Sequence, residues 1–148
     1  MEYKTKQVGW VIIGLIVGIA ITLTIISFIL EGTSQEFTRA TIIFMTVFAL
    51  LPFLFGSLQT TVNDKDIVIK FGIGLIKKTI PLDTVKGMEV VKNKFIYGWG
   101  IRFTPHGWLW NIAGYDAVEF EIEGVKKKFR LGCKDPKEMI KAIKKRKK

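Results

Sequence analysis

Cysteine and histidine are nearly absent from this 148-residue sequence, which has only Cys133 and His106. A single cysteine excludes an internal disulfide, so a reducing compartment is expected. Metal sites built from repeated Cys and His ligands are unsupported, and a Cys–His nucleophile pair would need chance proximity of these two residues. Gly72-Ile73-Gly74 lacks the third glycine and the lysine of phosphate-binding loops. We therefore predict a protein that is not an enzyme, with no catalytic, cofactor-binding or metal-binding residues.

Charge is absent from two long stretches, residues 8–30 and 40–58. A bilayer core about 30 Å thick requires about 20 helical residues to cross it, and only a helix satisfies its own backbone in lipid at that length. The pattern predicts a transmembrane helical hairpin over residues 1–58, with spans at about 8–30 and 40–58. The first run is too long for the apolar region of a signal peptide, and we expect it to be retained.

Both spans also lack Asp, Glu, Lys, Arg and His, from which proton relays and ion pathways are built. The hairpin is therefore expected to be an anchor and not a transporter or channel. Gly14 and Gly18 have the G-x-x-x-G spacing that allows close helix approach. Packing against Ala49, Gly56 and Ser57 of the second span is the favoured interpretation, and self-association is the alternative.

Positive charge is unevenly placed along the chain. The formal net charge is +10, and residues 126–148 contain twelve Lys or Arg against two acids, so the whole excess lies there. Lys4 and Lys6 precede the first span and further lysines follow the second, whereas the connecting stretch 31–39 has one basic residue, Arg39. Lys and Arg near span ends favour the cytoplasmic side. This predicts a multi-pass protein of the cell membrane with both termini in the cytoplasm.

Residues 59–148 change to short β-branched segments separated by turn residues, which predicts six or seven strands. The clearest alternation, in residues 118–123, is followed by Glu123-Gly124, predicted to form a two-residue hairpin turn that sets Glu119 opposite Lys128. Asp135, with Pro and Glu at the next key positions, predicts a helix from residue 136 to about 147. The fold class expected is a mainly-β, partly open barrel with a C-terminal capping helix.

Six short segments carry a further signal: DIVIKFG at 66–72, KTIPLDTV at 78–85, GWGIR at 98–102, GWLWN at 107–111, AVEF at 117–120 and FRLGCKDP at 129–136. In this serial order they resemble the bacterial pleckstrin-homology-like (PH-like) domains, over roughly residues 59–145. The resemblance implies a PH-like domain at 59–148, and a preceding pair of membrane helices is common in that family. It implies no catalytic residues.

Two sets of residues are candidate binding sites. The first is the basic face and tail of the terminal helix, which either contacts anionic lipid headgroups or is a solvated face that only sets orientation. Lipid contact is the slightly favoured interpretation, and the residues are Lys137, Lys141, Lys144, Lys145, Arg146, Lys147 and Lys148. The second is aromatic, and it forms either a partner interface or only the core and a long loop: Trp99, Trp108 and Trp110.

We predict an integral membrane protein that presents a PH-like binding domain at the cytoplasmic membrane surface and docks on anionic lipid. The alternative is a structural or assembly protein that binds a protein partner, or a second copy of itself, through a sheet edge or the aromatic loop. No cofactor is expected. Nucleic acid is not expected either, because the domain is tethered closely to the membrane.

Overall fold

The computed structural model describes residues 3–29 and 35–147. Along these ranges the elements are β1 (Tyr3–Val8), α1 (Trp10–Ile29), α2 (Gln35–Phe55), β2 (Ser57–Val62), β3 (Asp66–Phe71), β4 (Ile76–Pro81), a 3₁₀ turn (Leu82–Thr84), β5 (Val85–Lys92), a second 3₁₀ turn (Phe95–Tyr97), β6 (Gly100–Thr104), β7 (Gly107–Asn111), β8 (Asp116–Ile122), β9 (Lys128–Gly132) and α3 (Pro136–Arg146). Two long apolar helices, a mainly-β domain and a C-terminal helix are confirmed.

The helix pair is inserted between two neighbouring strands of the β domain. β1 and β2 pair in antiparallel fashion from Tyr3↔Val62 to Val8↔Ser57, and only Gly9 and Gly56 separate them from α1 and α2. Residues 3–8, expected to belong to the hairpin segment 1–58, are instead a strand, because strand pairing with β2 satisfies their backbone. Residues 35–39 of the expected connection are helical, and residues 30–34 lie outside the described part of the chain.

Both helices are long and apolar enough to cross a membrane, and their most apolar windows have no buried residues. The expectation that Gly14 and Gly18 pack against the second helix is wrong, because a Cβ at either position would have no atom of the described residues within 4 Å. Instead, an open groove of about 560 Å³ runs along this face of α1. Self-association through it stays a prediction.

The β domain consists of two sheets. The sequence predicts a partly open barrel, but neither sheet closes into one. The first has the order β1-β2-β3-β4, and the second has the order β5-β8-β9-β7-β6 with β7 and β9 parallel. Phe71 of the first sheet, Phe120 and Leu131 of the second, and Met139 and Ile143 of α3 belong to one buried cluster. The two sheets and the terminal helix therefore enclose a single core.

The first sheet has two ends that differ in what surrounds them. We call the end that joins the helix pair, at Val8, Ser57 and Phe71, the helix end, and the opposite end, at Tyr3 and Asp66, the far end. A six-residue strand separates the two ends by about 17 Å.

The second sheet extends from one of these ends to the other. β5 starts directly after the 3₁₀ turn that follows Pro81, which pairs with Asp66 at the far end. β7 lies at the helix end, since the Trp110 ring is centred 5.5 Å from that of Phe71. The order of the second sheet therefore runs from the far end, at β5, to the helix end, at β7 and β6.

The hairpin of β8 and β9 has a longer turn than the sequence predicts. Glu119 pairs with Arg130 and Phe120 with Phe129, and residues 123–127 connect the strands, so the predicted two-residue hairpin loop and its register are wrong. A turn does form at Glu123-Gly124, where the Val125 amide donates to the Ile122 carbonyl at 3.1 Å, but the connection continues to residue 127. The register differs from the predicted one by two residues. Because side chains alternate with a period of two, each keeps its predicted face, and Phe129 and Leu131 are buried.

Candidate functional site

The terminal helix is positioned by its N-terminal residues and its apolar stripe. The Asp135 side chain accepts a hydrogen bond of 3.0 Å from the amide of Glu138, and Pro136 occupies the first turn, as predicted. Met139 and Ile143 are fully buried against the sheets. α3 is thereby held in a fixed rotation, which keeps its lysines on the surface.

A groove of about 1350 Å³ lies between α3 and the far end of the first sheet. Its helix side is mostly basic and its strand side is mostly acidic. The helix side consists of Glu138, Lys141, Ala142, Lys145, Arg146 and Lys147, and the strand side consists of Tyr3, Asp64, Lys65, Asp66, Pro81, Leu82 and Asp83.

The two sides of this groove meet at the C-terminal end of α3. Arg146 Nε lies 3.8 Å from a carboxylate oxygen of Asp64. The Lys147 ammonium donates a hydrogen bond to the backbone carbonyl of Val85. These two contacts place the C-terminal end of α3 beside the loop before β3 and the start of β5.

The basic residues predicted to contact lipid do not lie on one surface. Lys141, Lys145, Arg146 and Lys147 line the groove. Lys137 and Lys144 are exposed on α3 outside it, and Lys148 lies beyond the described residues. The described ones lie on α3 or, for Lys147, directly after it. This helix packs at the far end, about 17 Å along the strands from the helix pair.

The three candidate interface tryptophans are in different environments. Trp110 is partly buried and packs against the core, with its ring centroid 5.5 Å from that of Phe71 and 6.0 Å from that of Phe129. Trp99 is half-buried, and its indole N–H donates to the Gly114 carbonyl at 3.3 Å. The core interpretation therefore applies to Trp110, and Trp99 fastens the loop after β5 to the β7–β8 connection.

Trp108 is the tryptophan of this set that remains available to a partner. It is 49% exposed and packs edge to face against Phe103 at 5.2 Å. The Lys127 ammonium lies 4.3 Å from the centroid of the Phe103 ring. The pair is an amphipathic surface feature at the edge of the second sheet.

The most buried charges are paired with one another. Arg130 Nε lies 2.6 Å from one carboxylate oxygen of Glu119, and Lys128 Nζ lies 2.8 Å from the other and 3.2 Å from Glu121. Burial alone would raise the pKa of Glu119, but hydrogen bonds from Lys128 and Arg130 outweigh it and lower that pKa. The hydrogen bonds that Lys128 donates to Glu119 and Glu121 raise the pKa of Lys128. Glu119 is therefore a structural anion.

Cys133 and His106 are not brought together. Burial raises the pKa of the Cys133 thiol to about 12, and the charges of Asp116 and Asp135 add to the effect. Such a thiol is not a nucleophile at neutral pH. His106 lies in the β6–β7 turn, at the opposite end of the β7–β9 pair. Within residues 3–29 and 35–147, no group of three or more His, Cys, Asp or Glu could hold a metal ion.

Comparisons with family models, curated proteins and solved structures found no match. Function must therefore be inferred from the geometry of the chain itself.

Sequence reasoning missed one basic surface, on the outer face of the first sheet. The strand registers place Lys6, Gln59, Lys70 and Lys77 side by side, one residue from each strand. We call these three lysines the lysine row. Their spacing in the sequence carries no signal of this arrangement, since three registers and the unexpected strand β1 are needed to bring them together.

Proposed function

We propose that this chain is an integral membrane protein with two spans, α1 and α2, at the cell membrane. Both helices expose large apolar side chains along their whole length, among them Leu15, Ile25, Ile43 and Leu50. Soluble monomers rarely expose contiguous apolar surface of that extent, whereas a bilayer covers it. Lysines near the span ends support a cytoplasmic location for the β domain and both termini.

The β domain is a PH-like binding module and not an enzyme. Two sheets around one core, with a C-terminal helix whose Met139 and Ile143 enter that core, support the resemblance of the six segments to PH-like domains. The inert Cys133 and the pairing of Glu119 with Arg130 support a binding role over catalysis.

The groove between α3 and the far end is the site that carries the function. Its volume of about 1350 Å³ exceeds the roughly 300–1,000 Å³ of small-molecule pockets, so it suits a protein segment better than a metabolite. The basic helix side would receive acidic side chains of that segment, and Asp64, Asp66 and Asp83 would receive basic ones. The domain thus recruits a protein partner of mixed charge to the membrane.

Lipid docking by the terminal helix is the weaker alternative. Fields from surface charges decay over about 8 Å at physiological salt. The groove lysines sit at the far end, about 17 Å along the strands from the helix pair. At that distance the headgroups of the membrane that holds α1 and α2 attract them little.

The test compares two double variants of α3 with equal changes in charge. A photo-crosslinking residue at Ala142, inside the groove, would capture the partner in native membranes from the full chain. Lys141→Glu with Lys145→Glu, both in the groove, should reduce the crosslinked species at least tenfold. Lys137→Glu with Lys144→Glu, outside the groove, should leave it unchanged. Equal losses from both variants, or no crosslinked protein in the parent chain, would contradict the proposal.

A further inference from the structure

The β3–β4 turn is attached to the last turn of α2. The amide of Ile73 donates to the carbonyl of Phe53 at 2.9 Å, and the amide of Gly72 donates to that of Ser57 at 2.8 Å. The last carbonyls of a helix have no partner within it, so this turn caps α2. The β3–β4 turn is therefore held level with the C-terminal end of α2.

Two apolar side chains of this turn are left uncovered. Ile73 is 68% exposed and Leu75 is 75% exposed, although both flank a glycine in a tight turn where polar residues are usual. Because the Ile73 amide bonds to a residue inside the last turn of α2, these side chains lie beside the helix end. If α2 ends at a bilayer surface, they reach the boundary of its apolar core.

The lysine row lies two residues along the strands from the helix end of the first sheet. Lys6 is two residues before Val8, and its neighbour Gln59 is two residues after Ser57, which corresponds to about 7 Å along the strands. A headgroup layer adds about 5–8 Å to each side of the apolar core. The ammonium groups of the row therefore lie at the depth of the headgroup phosphates.

No acidic side chain of the described residues forms a salt bridge with Lys6, Lys70 or Lys77. Lys70 and Lys77 also face each other directly across the β3–β4 ladder. Like charges in directly opposed positions are destabilising. The outer face of the first sheet thus has a local excess of positive charge that the fold itself does not offset.

We infer that the lysine row binds anionic lipid headgroups while Ile73 and Leu75 enter the bilayer boundary beside α2. This membrane-contact surface is distinct from the groove at the far end, and it rests on the proposal that α1 and α2 span a membrane. The lysine row, at the level of the headgroups, favours anionic over zwitterionic lipid. Ile73 and Leu75 add apolar contact that does not depend on the charge of the lipid. The helix end of the first sheet is thereby held at the membrane surface.

The experiment measures the lipid that the purified full chain retains from mixed micelles of phosphatidylcholine and phosphatidylglycerol, counted by native mass spectrometry. The parent chain should enrich phosphatidylglycerol over the bulk ratio, and added salt should reduce the enrichment. Lys6→Gln, Lys70→Gln and Lys77→Gln together should abolish it, with a decrease of roughly fivefold per lysine. Lys134→Gln, Lys137→Gln and Lys144→Gln, the same change in charge at exposed positions on and just before α3 (the α3 variant), should preserve it.

A single variant separates lipid binding from folding. Lys77→Glu replaces the repulsive pair with Lys70 by an attractive one, so its melting temperature in neutral detergent should rise slightly while phosphatidylglycerol enrichment falls. Enrichment that survives in the row variants, or that falls equally in the α3 variant, would overturn the inference. Release of the parent chain from membranes by alkaline carbonate would instead overturn the proposed spans, so the two failures are distinguishable.

Discussion

The two ends of the first sheet handle positive charge in different ways. At the helix end, Lys70 and Lys77 oppose each other, and apolar Ile73 projects beside them. At the far end, the more numerous cations of α3 face acids across a groove, and Arg146 lies 3.8 Å from Asp64. A membrane is therefore expected to act on the smaller, unmatched set, because position and pairing count for more than the number of charges.

Detaching the helix end should have the largest effect. Gly72 has a φ of +50°, and a Cβ there would overlap the carbonyl oxygens of Phe53 and Leu54 in α2. Gly72→Ala should therefore lower the free energy of unfolding by about 4 kcal/mol, in the upper range for single substitutions, because the turn must leave α2. Thermal unfolding of the full chain in detergent, followed by circular dichroism, measures this.

Gly124→Ala is the matched control for that substitution. Gly124 also has a positive φ, +74°, but a Cβ there would have nothing within 4 Å. It should cost only about 1 kcal/mol, the backbone penalty alone. If both substitutions lowered the free energy of unfolding by the same amount, contact between Gly72 and α2 would contribute nothing to stability. The attachment of the β3–β4 turn to α2 would then no longer distinguish the helix end from the far end.

Removing the negative charge of Glu119, in the second sheet, should cause the next largest loss of unfolding free energy. The loss should destabilise the helix end and the far end equally. Glu119→Gln leaves Arg130 without its carboxylate partner and should cost about 3 kcal/mol at neutral pH. Glu121→Gln, at an exposed partner of Lys128, should cost less than about 1 kcal/mol. Urea unfolding in detergent compares the two.

The pH dependence of this effect follows from the lowered pKa of Glu119. A carboxyl group with a lowered pKa in the folded state stabilises the fold above its unfolded pKa, about 4.3, and loses that contribution as pH falls through the folded value. The difference between the parent chain and Glu119→Gln should be constant near neutrality and should shrink below about pH 4.3. A difference that grows on acidification would contradict the assignment.

The smallest effect is expected at the far end. Asp135→Ala removes the side chain that accepts from the Glu138 amide and should cost about 1 kcal/mol. Fraying of the first turn of α3 should also weaken crosslinking in the groove, while phosphatidylglycerol enrichment at the helix end stays unchanged. Lys144→Ala, at an exposed position of the same helix, should change unfolding by less than about 0.5 kcal/mol. If Asp135→Ala reduced both groove crosslinking and phosphatidylglycerol enrichment, the far end and the helix end would be coupled.

Local signals predicted the elements whose determinants are close together in the chain. The start of α3 follows from Asp135, Pro136 and Glu138, and β3 follows from a β-branched run after turn residues. Strand β1 has no such signal, since its partner β2 lies beyond both helices. β7 (Gly107–Asn111) likewise has no strand signal of its own, because its parallel pairing with β9 is not visible in a single sequence.

The binding surfaces show the same limit. The excess of lysine in the terminal helix is visible in the sequence. The acids that face it lie more than 50 residues earlier: Asp64 in a loop, Asp66 at the start of β3 and Asp83 in the first 3₁₀ turn. The lysine row depends on three strand registers, and a shift of one residue in any of them would move a lysine to the core face.

The insertion of the helix pair between β1 and β2 also dictates an order of assembly. β1 leaves the ribosome before either helix, and its partner β2 emerges only after both. The first sheet therefore cannot be completed until α1 and α2 have been placed with their ends side by side, whichever machinery inserts them. If one helix fails to insert, β2 is left as an exposed edge that invites aggregation or proteolysis. If α1 and α2 span a membrane as proposed, completion of the first sheet therefore depends on the insertion of both helices.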